Sequence, residues 1–177
     1  MHRTEQEGKS LILQRLFGLK ANPIAPVYDA IVASARQPRF YADMAVPDTL
    51  DGRFDMIVLH MFLILDRMKG EDEKFRQNLT DYFYMDMDRS LREIGVGDLT
   101  VGKKVRKMAE AFYGRINAYQ NASEQGEAQW VEALERNVYG GNPSPHTVAL
   151  AKWVAASRVK LAEQVPQIIL QAKLDFA

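Results

Sequence analysis

The sequence predicts an all-α fold, an irregular multi-helix bundle built around one central apolar helix at about residues 54–69. Two observations lead to this prediction. Apolar residues recur at spacings of three and four, whereas the alternation typical of strands is nearly absent. The 11 glycines and 7 prolines of the 177 residues cluster between these periodic segments, where they separate one helix from the next.

Two short helices come first in the predicted order. The first covers about residues 9–17 and the second about residues 24–35. Pro38 closes the second helix, because the residue before a proline disfavours the helical conformation. We expect the stretch that follows, up to Pro47, to be irregular.

The central helix is predicted next, with Asp51 as its N-cap and Gly70 as its stop signal. Residues 54–65 are apolar on nearly every face and include only two ionisable side chains, Asp55 and His60. A helix without a polar face belongs at the centre of a bundle. The run is too short to cross a bilayer, which takes ~20 apolar residues.

Two amphipathic helices of opposite charge follow the central helix. The first covers about residues 73–94, and the second begins near Asp98 or Thr100, either of which can cap it. Residues 71–100 contain eight acidic against four basic side chains, and residues 101–122 contain five basic against one acidic. The two inward stripes comprise Phe75, Leu79, Phe83, Met87, Leu91 and Ile94, and Val101, Val105, Met108, Phe112, Ile116 and Tyr119. The opposite charges either attract the two helices to each other or form surfaces for partners.

The C-terminal part is predicted to start after the strongest break in the chain. An acidic helix at about residues 122–138 precedes this break, which comprises residues 140–145 and is rich in Gly and Pro. A further helix starts at Ser144 or Thr147. Pro166 kinks that helix or divides it in two, because proline disrupts a helix interior.

Charge and composition exclude several classes of function. The 23 basic and 23 acidic side chains balance, so the basic excess typical of nucleic-acid binding is missing. With no cysteine, the chain has no disulfide framework, thiolate metal site or thiol nucleophile. The acidic N-terminus lacks the positive charge of a secretory signal. We therefore expect a cytoplasmic protein, at most peripheral at the inner membrane.

The sequence offers no catalytic centre. No serine lies in a G-x-S-x-G elbow. Residues 97–103 satisfy G-x-x-x-x-G-K, but Lys104 occupies the position that should bind magnesium, and a helix precedes the loop where a strand is required. No histidine has the Glu three positions earlier that helical-bundle metal sites use. We predict a protein that is not an enzyme and has no metal or cofactor.

His60 has two interpretations. A histidine inside an apolar helix could be the axial ligand of a haem. More often such a residue is a core histidine whose ring nitrogens are hydrogen-bonded to a buried carboxylate or carbonyl, and Asp55 or Asp86 could supply the carboxylate.

Two charged surfaces are the candidate partner-binding site. On the acidic helix, the residues that point away from the apolar stripe are Asp81, Tyr84, Met85 and Asp88. On the basic helix, the candidates are Lys103, Lys104, Arg106 and Lys107. An exposed aromatic ring and thioether within a polar rim are typical of an interface. Residues 9–20 are amphipathic and cationic, which fits either peripheral contact with an anionic membrane or packing against the bundle.

Several longer stretches carry a family resemblance. They are residues 47–55 (Pro-Asp-Thr-Leu-Asp-Gly-Arg-Phe-Asp), 59–62, 81–88 (Asp-Tyr-Phe-Tyr-Met-Asp-Met-Asp), 92–98, 101–108 and 112–115. Together, from about Leu16 to Tyr139, they resemble the ubiquinol:cytochrome c reductase chaperone family.

The resemblance implies a non-enzymatic, all-helical assembly factor that binds newly made cytochrome b and acts with a second assembly factor. It implies a chaperone-family domain at residues 1–140, with residues 141–177 as a helical extension on the same bundle. Because no mitochondrial presequence is evident, we expect a bacterial member. Two alternatives remain: a haem or metal protein that uses His60, and a generic helical interaction module.

Overall fold

The computed structural model describes residues 22–177, and throughout that range it is helical with no strand. The elements are α1 (Ala25–Ala35), α2 (Pro38–Ala42), α3 (Leu50–Arg67), α4 (Glu73–Glu93), α5 (Asp98–Gln125), α6 (Glu127–Val138), α7 (Thr147–Glu163) and α8 (Pro166–Leu170). The predicted all-α bundle is therefore confirmed. The helix predicted at residues 9–17, and the membrane contact predicted for residues 9–20, lie outside the described residues.

Helix α3 occupies the centre of the bundle, as its apolar sequence predicts. Every residue from Asp55 to Leu65 is buried, and the helix packs against α1, α5, α6 and α7. Burying such a continuous apolar surface is the main force that holds the helices together. Within residues 22–177, no helix combines the length and the unbroken apolarity that crossing a bilayer would require.

The start of α3 differs from the prediction by two residues. Thr49, not Asp51, is the N-cap, and its hydroxyl oxygen accepts a hydrogen bond from the Gly52 amide at 3.1 Å. Asp51 lies in the first turn instead, where its negative charge favours the positive end of the helix dipole. At Gly52 the loop comes very close, because a Cβ added there would lie 1.9 Å from the Pro47 carbonyl oxygen.

Three other boundaries correct the sequence prediction. The stretch expected to be irregular contains α2, since Pro38 begins this helix as well as ending α1. At the N-terminus of α5, Gly97 holds the capping position, and neither Asp98 nor Thr100 acts as the cap. Helix α5 also continues past Ala122 and ends at Gln125. The next residue, Gly126, has a φ of +100°, a value that glycine adopts readily.

The C-terminal helix α7 packs on both α3 and α6. Pro166 begins α8, so the proline divides the predicted helix in two. The chain then returns along α7, where the Trp153 indole N–H donates to the Ala177 carbonyl at 2.7 Å and the Ala177 amide donates to the Ser157 hydroxyl at 3.0 Å. A domain boundary at residue 140 stays a prediction.

Candidate partner-binding site

Four aromatic rings on α4 and α5 form a cluster that reaches the surface, which we call the open cluster: Phe83, Tyr84, Phe112 and Tyr113. The Phe83 and Phe112 rings are buried, with their centroids 4.9 Å apart. Towards the surface, Tyr84 lies 5.7 Å from Phe112 and 6.3 Å from Tyr113. Tyr113 itself is 54% exposed, so the cluster presents an aromatic ring to solvent.

The candidate residues of the acidic helix lie together beside this cluster. Asp81, Tyr84, Met85 and Asp88 line a shallow surface depression of about 470 Å³. Their spacing of three, four and seven residues explains why they share one face of α4. Met85 is 64% exposed, so the depression presents a large apolar side chain to solvent.

The sequence predicts an exposed Tyr84, whereas the structure shows a half-buried one. Its hydroxyl oxygen is buried, because the ring packs against Phe112. Burial, with a further contribution from the neighbouring Tyr113 phenol, raises the pKa of Tyr84. The ring therefore forms the wall of the depression, and the phenol stays protonated.

The acids of α4 are partnered mainly by arginines and a glutamine of the same helix. Arg92 pairs with Asp88 at 2.6 Å and also with Asp98. Gln77 donates a hydrogen bond to Asp81 at 2.8 Å. Such exposed pairs contribute little to stability, on the order of 0–1 kcal/mol.

The basic run of α5 is exposed and makes no ion pair within residues 22–177; it comprises Lys103, Lys104, Arg106 and Lys107. Helices α4 and α5 do pack against each other, but through apolar residues such as Phe83 and Phe112. Mutual attraction between their opposite charges therefore does not account for the basic run. Its charge is available to a partner.

A second aromatic cluster surrounds His60, and we call it the closed cluster: Phe40, His60, Trp153 and Phe176. The imidazole centroid lies 5.3 Å from Phe40, 4.9 Å from Trp153 and 4.9 Å from Phe176, and His60 has no exposed surface. Its Nδ1 lies 2.8 Å from the Met56 carbonyl oxygen, so Nδ1 carries the proton and donates it. Burial lowers the pKa of His60 to about 4, which keeps the ring neutral.

Of the two kinds of partner expected for His60, the structure supplies a backbone carbonyl, and the candidate carboxylates Asp55 and Asp86 are engaged elsewhere. Asp55 forms a buried ion pair with Arg115 of α5 at 2.7 Å. Burial raises the pKa of Asp55 to about 6, although Arg115 acts in the opposite direction. Asp86 accepts a hydrogen bond from the Tyr28 hydroxyl at 3.0 Å, which joins α4 to α1.

The closed cluster leaves no room for a haem at His60. Axial ligation would require displacing the aromatic rings that enclose the imidazole. Within the described part of the chain, no group of three or more His, Asp or Glu side chains is arranged to hold a metal ion.

Tyr113 is the site residue that sequence reasoning missed. It is adjacent to Phe112, which belongs to the inward stripe of α5, yet it lies outside that stripe. A large aromatic residue next to a stripe position was the available signal. What the sequence could not show is that Tyr113 lies near Tyr84, 29 positions earlier, because that depends on how α4 packs on α5.

Comparisons with known proteins agree with one another. The family model described as "Ubiquinol-cytochrome C chaperone" matches residues 42–176. The "Ubiquinol-cytochrome-c reductase complex assembly factor 1" of Xenopus laevis is 25% identical over 115 residues, which are 63% of this chain and 58% of that protein. The chain thus spans little more than half the length of this curated relative.

A solved structure resembles nearly the whole chain. It is the crystal structure of the Cbp3 homolog from Brucella abortus, which is 37% identical, with a TM-score of 0.78, and covers 94% of this chain and 95% of its own. The family match runs to residue 176 and so includes α7 and α8, which lie beyond the stretches that carried the resemblance in the sequence.

Proposed function

Because this chain belongs to the ubiquinol-cytochrome c chaperone family, we propose that it is an assembly factor that binds newly made cytochrome b before its incorporation into the ubiquinol:cytochrome c reductase complex. The family match over residues 42–176 is the observation that carries this proposal. It spans α3 to α8, that is, most of the described bundle. The family is one of assembly chaperones and not of enzymes, in agreement with the sequence prediction.

The chemistry of the open cluster supports a membrane-protein client. A membrane subunit in transit exposes apolar segments bordered by charge, so its chaperone needs an adaptable apolar surface with a charged border. Met85 provides a flexible thioether and Tyr113 a rigid ring, and both are exposed. Asp81 and Asp88 border them. We infer that this depression is the client-binding side of the bundle and that the basic run of α5 forms a second partner surface of opposite charge.

Deleting the gene tests the assembly role directly. We expect the membranes of the deletion strain to lose the absorbance of cytochrome b, with other cytochromes intact, and the wild-type gene to restore it. An unchanged membrane spectrum would contradict the proposal. It would leave a generic helical interaction module as the better description of the chain.

Capture of the client tests the surface. Asp81→Lys reverses a charge at the border of the depression, so we expect the tagged variant to retain less cytochrome b than wild type from detergent-solubilised membranes. Asp29→Lys is the matched control, since Asp29 is an exposed acid on α1 that does not line the depression. Equal retention by the two variants would argue against this site while leaving the assembly role intact.

A further inference from the structure

The turn between α4 and α5 exposes two large aliphatic side chains. Ile94, at the end of α4, is 65% exposed, and Leu99, in the first turn of α5, is fully exposed. Between them Gly95, with a φ of +87°, lets the chain reverse tightly. A single exposed leucine is ordinary on a protein surface. Two exposed aliphatic side chains at the same turn, which we call the tip, give this end of the α4–α5 pair a small apolar surface.

The basic run continues from this tip along one face of α5. Lys103 and Arg106 follow Leu99 by four and seven residues, so the three side chains share one face of the helix. Lys107 lies one turn beyond Lys103, and Lys104 is at the edge of the same surface. The apolar tip and these basic side chains, which make no ion pair with residues 22–177, therefore form one continuous surface.

The acids closest to the tip do not cancel that charge. Asp98 pairs with Arg92, and Glu93 lies 4.0 Å from Arg89. Glu110 is the one acid within residues 101–122, and it comes after the four basic residues. The tip and its basic face therefore carry a local excess of positive charge although the whole chain is neutral.

We propose that the α4–α5 turn and the basic run of α5 dock on an anionic lipid surface, with Leu99 and Ile94 entering the interfacial layer and the basic side chains contacting lipid headgroups. This assignment deepens the proposed function by naming the partner of the basic run. Apolar residues beside lysine and arginine are the combination that anchors a protein at a membrane surface. A protein partner with acidic side chains is the alternative occupant of the same surface, and the experiments below separate it from a lipid surface.

Sedimentation with vesicles tests the charge component. The full chain is mixed with phosphatidylcholine vesicles that contain phosphatidylglycerol and with pure phosphatidylcholine vesicles. Each basic residue near an anionic surface strengthens binding about fivefold, so the variant with Lys103, Lys104, Arg106 and Lys107 changed to Glu should lose at least about a hundredfold in affinity for the anionic vesicles. The matched control changes Lys69, Lys74, Arg136 and Lys152 to Glu, which alters the net charge equally at exposed positions elsewhere.

A tryptophan at the tip tests insertion. The two native tryptophans, Trp130 and Trp153, are each only 6% exposed, so their emission already reports a buried environment. We expect Leu99→Trp to add a solvent-exposed emission that shifts to the blue when anionic vesicles are added. Val159→Trp is the control, because Val159 is 62% exposed on α7 and its neighbour Arg158 pairs with Asp66 at the C-terminal end of α3, and its emission should not shift.

The outcomes separate this inference from its alternatives. Every variant contains residues 9–20. If vesicle binding depended only on that segment, the basic-run variant and its control would bind equally, and that result would overturn the proposal. Loss of cytochrome b capture in detergent by the basic-run variant, with vesicle binding unchanged, would assign the basic run to a protein partner instead. Vesicle binding through the tip together with a normal deletion spectrum would sustain the lipid surface and reject the assembly role.

Discussion

The closed cluster and the open cluster contain similar side chains, but only the closed one is sealed. In the closed cluster, α7 and the returning segment at Phe176 cover His60 completely. Main-chain carbonyls satisfy its polar hydrogens, at the His60 Nδ1 and the Trp153 indole nitrogen. Residue types that suggest a cofactor site therefore build an ordinary core when every ring has a packing partner.

No segment among residues 22–177 covers the open cluster in this way. Phe83 and Phe112 are buried, whereas Tyr113 and Met85 next to them remain exposed. Within the described residues nothing packs over this side, and acids border it. The aromatic residues alone therefore do not distinguish the candidate site from the core. The difference is that, within residues 22–177, no helix or loop packs over the outer side of the open cluster.

Trp153→Ala should give the largest effect on stability. Trp153 fills the centre of the closed cluster and donates to Ala177, so truncation leaves a cavity and an unpaired carbonyl. Large-to-small changes of this kind cost about 3–5 kcal/mol. Urea unfolding followed by circular dichroism measures the loss. If Trp153→Ala destabilised the protein no more than Tyr113→Ala does, the contrast between the sealed and the open cluster would fail.

Asp55 is connected to the open cluster and gives the next largest effect, which depends on pH. Its partner Arg115 lies over the Phe54 ring, 5.5 Å from the centroid, and Phe54 in turn lies 6.0 Å from Phe83 of the open cluster. Because burial raises the pKa of Asp55 from 3.8 to about 6, the contribution of this carboxyl to folding is greatest below pH ~4 and is lost as the pH rises through ~6.

The Asp55→Asn variant isolates that contribution. Between pH 4 and pH 7 wild type should lose about 2.4 kcal/mol of stability that this variant does not lose, because a pKa shift from 3.8 to about 6 corresponds to ~3 kcal/mol in full and most of it falls in this range. Urea unfolding at several pH values measures the difference, and Asp43→Asn at an exposed position is the control. A constant difference across this range would mean that Asp55 titrates as an exposed carboxyl does.

His60 changes the stability in the opposite direction to Asp55 over nearly the same pH range. Its pKa is lowered from 6.5 to about 4 by burial, so its contribution to stability is present above pH ~6.5 and is lost as the pH falls towards 4. In wild type the slopes of Asp55 and His60 therefore partly cancel. We expect the His60→Gln variant to lose less stability than wild type on acidification from pH 6.5 to 4.

Gly52→Ala should be destabilising by about 1–3 kcal/mol, the usual cost of overpacking. The added Cβ would meet the Pro47 carbonyl oxygen at 1.9 Å, and that atom is backbone and cannot rotate away. Gly114→Ala is the control, because a Cβ at Gly114 meets nothing within 4 Å. Thermal unfolding of the pair measures the effect. Equal midpoints for the two variants would show that the loop before α3 moves at little cost.

The sequence predicts the helices well because their signals are local. The stripe residues Phe75, Leu79, Phe83 and Met87 are buried, as their spacing requires, but the predicted inward stripe was too long, because Leu91 is only half-buried and Ile94 is exposed beyond the end of α4. The errors arise where two residues compete for one role, as Thr49 and Asp51 do at the cap of α3. The boundary between α5 and α6 at Gly126 was not predicted for a related reason. A lone glycine between two helical patterns is compatible with one helix or two.

The candidate site was predicted only where its residues share a helix. The spacing of Asp81, Tyr84, Met85 and Asp88 places them on one face without any knowledge of the fold. The contact between Tyr84 and Tyr113 and the partners of Asp55 and Asp86 depend on how distant segments pack, which the spacing of residues does not encode. His60 illustrates the same limit, because the rings that seal it come from three separate parts of the chain.

The smallest effect on stability is expected at the open cluster, together with a clear effect on binding. Met85→Ser and Tyr113→Ser remove mostly exposed apolar atoms, so the free energy of unfolding should fall by only about 1 kcal/mol, well below the loss expected at Trp153. If these side chains are central contacts for the client, the double variant should retain about tenfold less cytochrome b, as loss of a strong interface contact does. Val159→Ser, at an exposed position on α7, is the control. Undiminished retention by a stably folded double variant would show that this exposed apolar surface is not where the client binds.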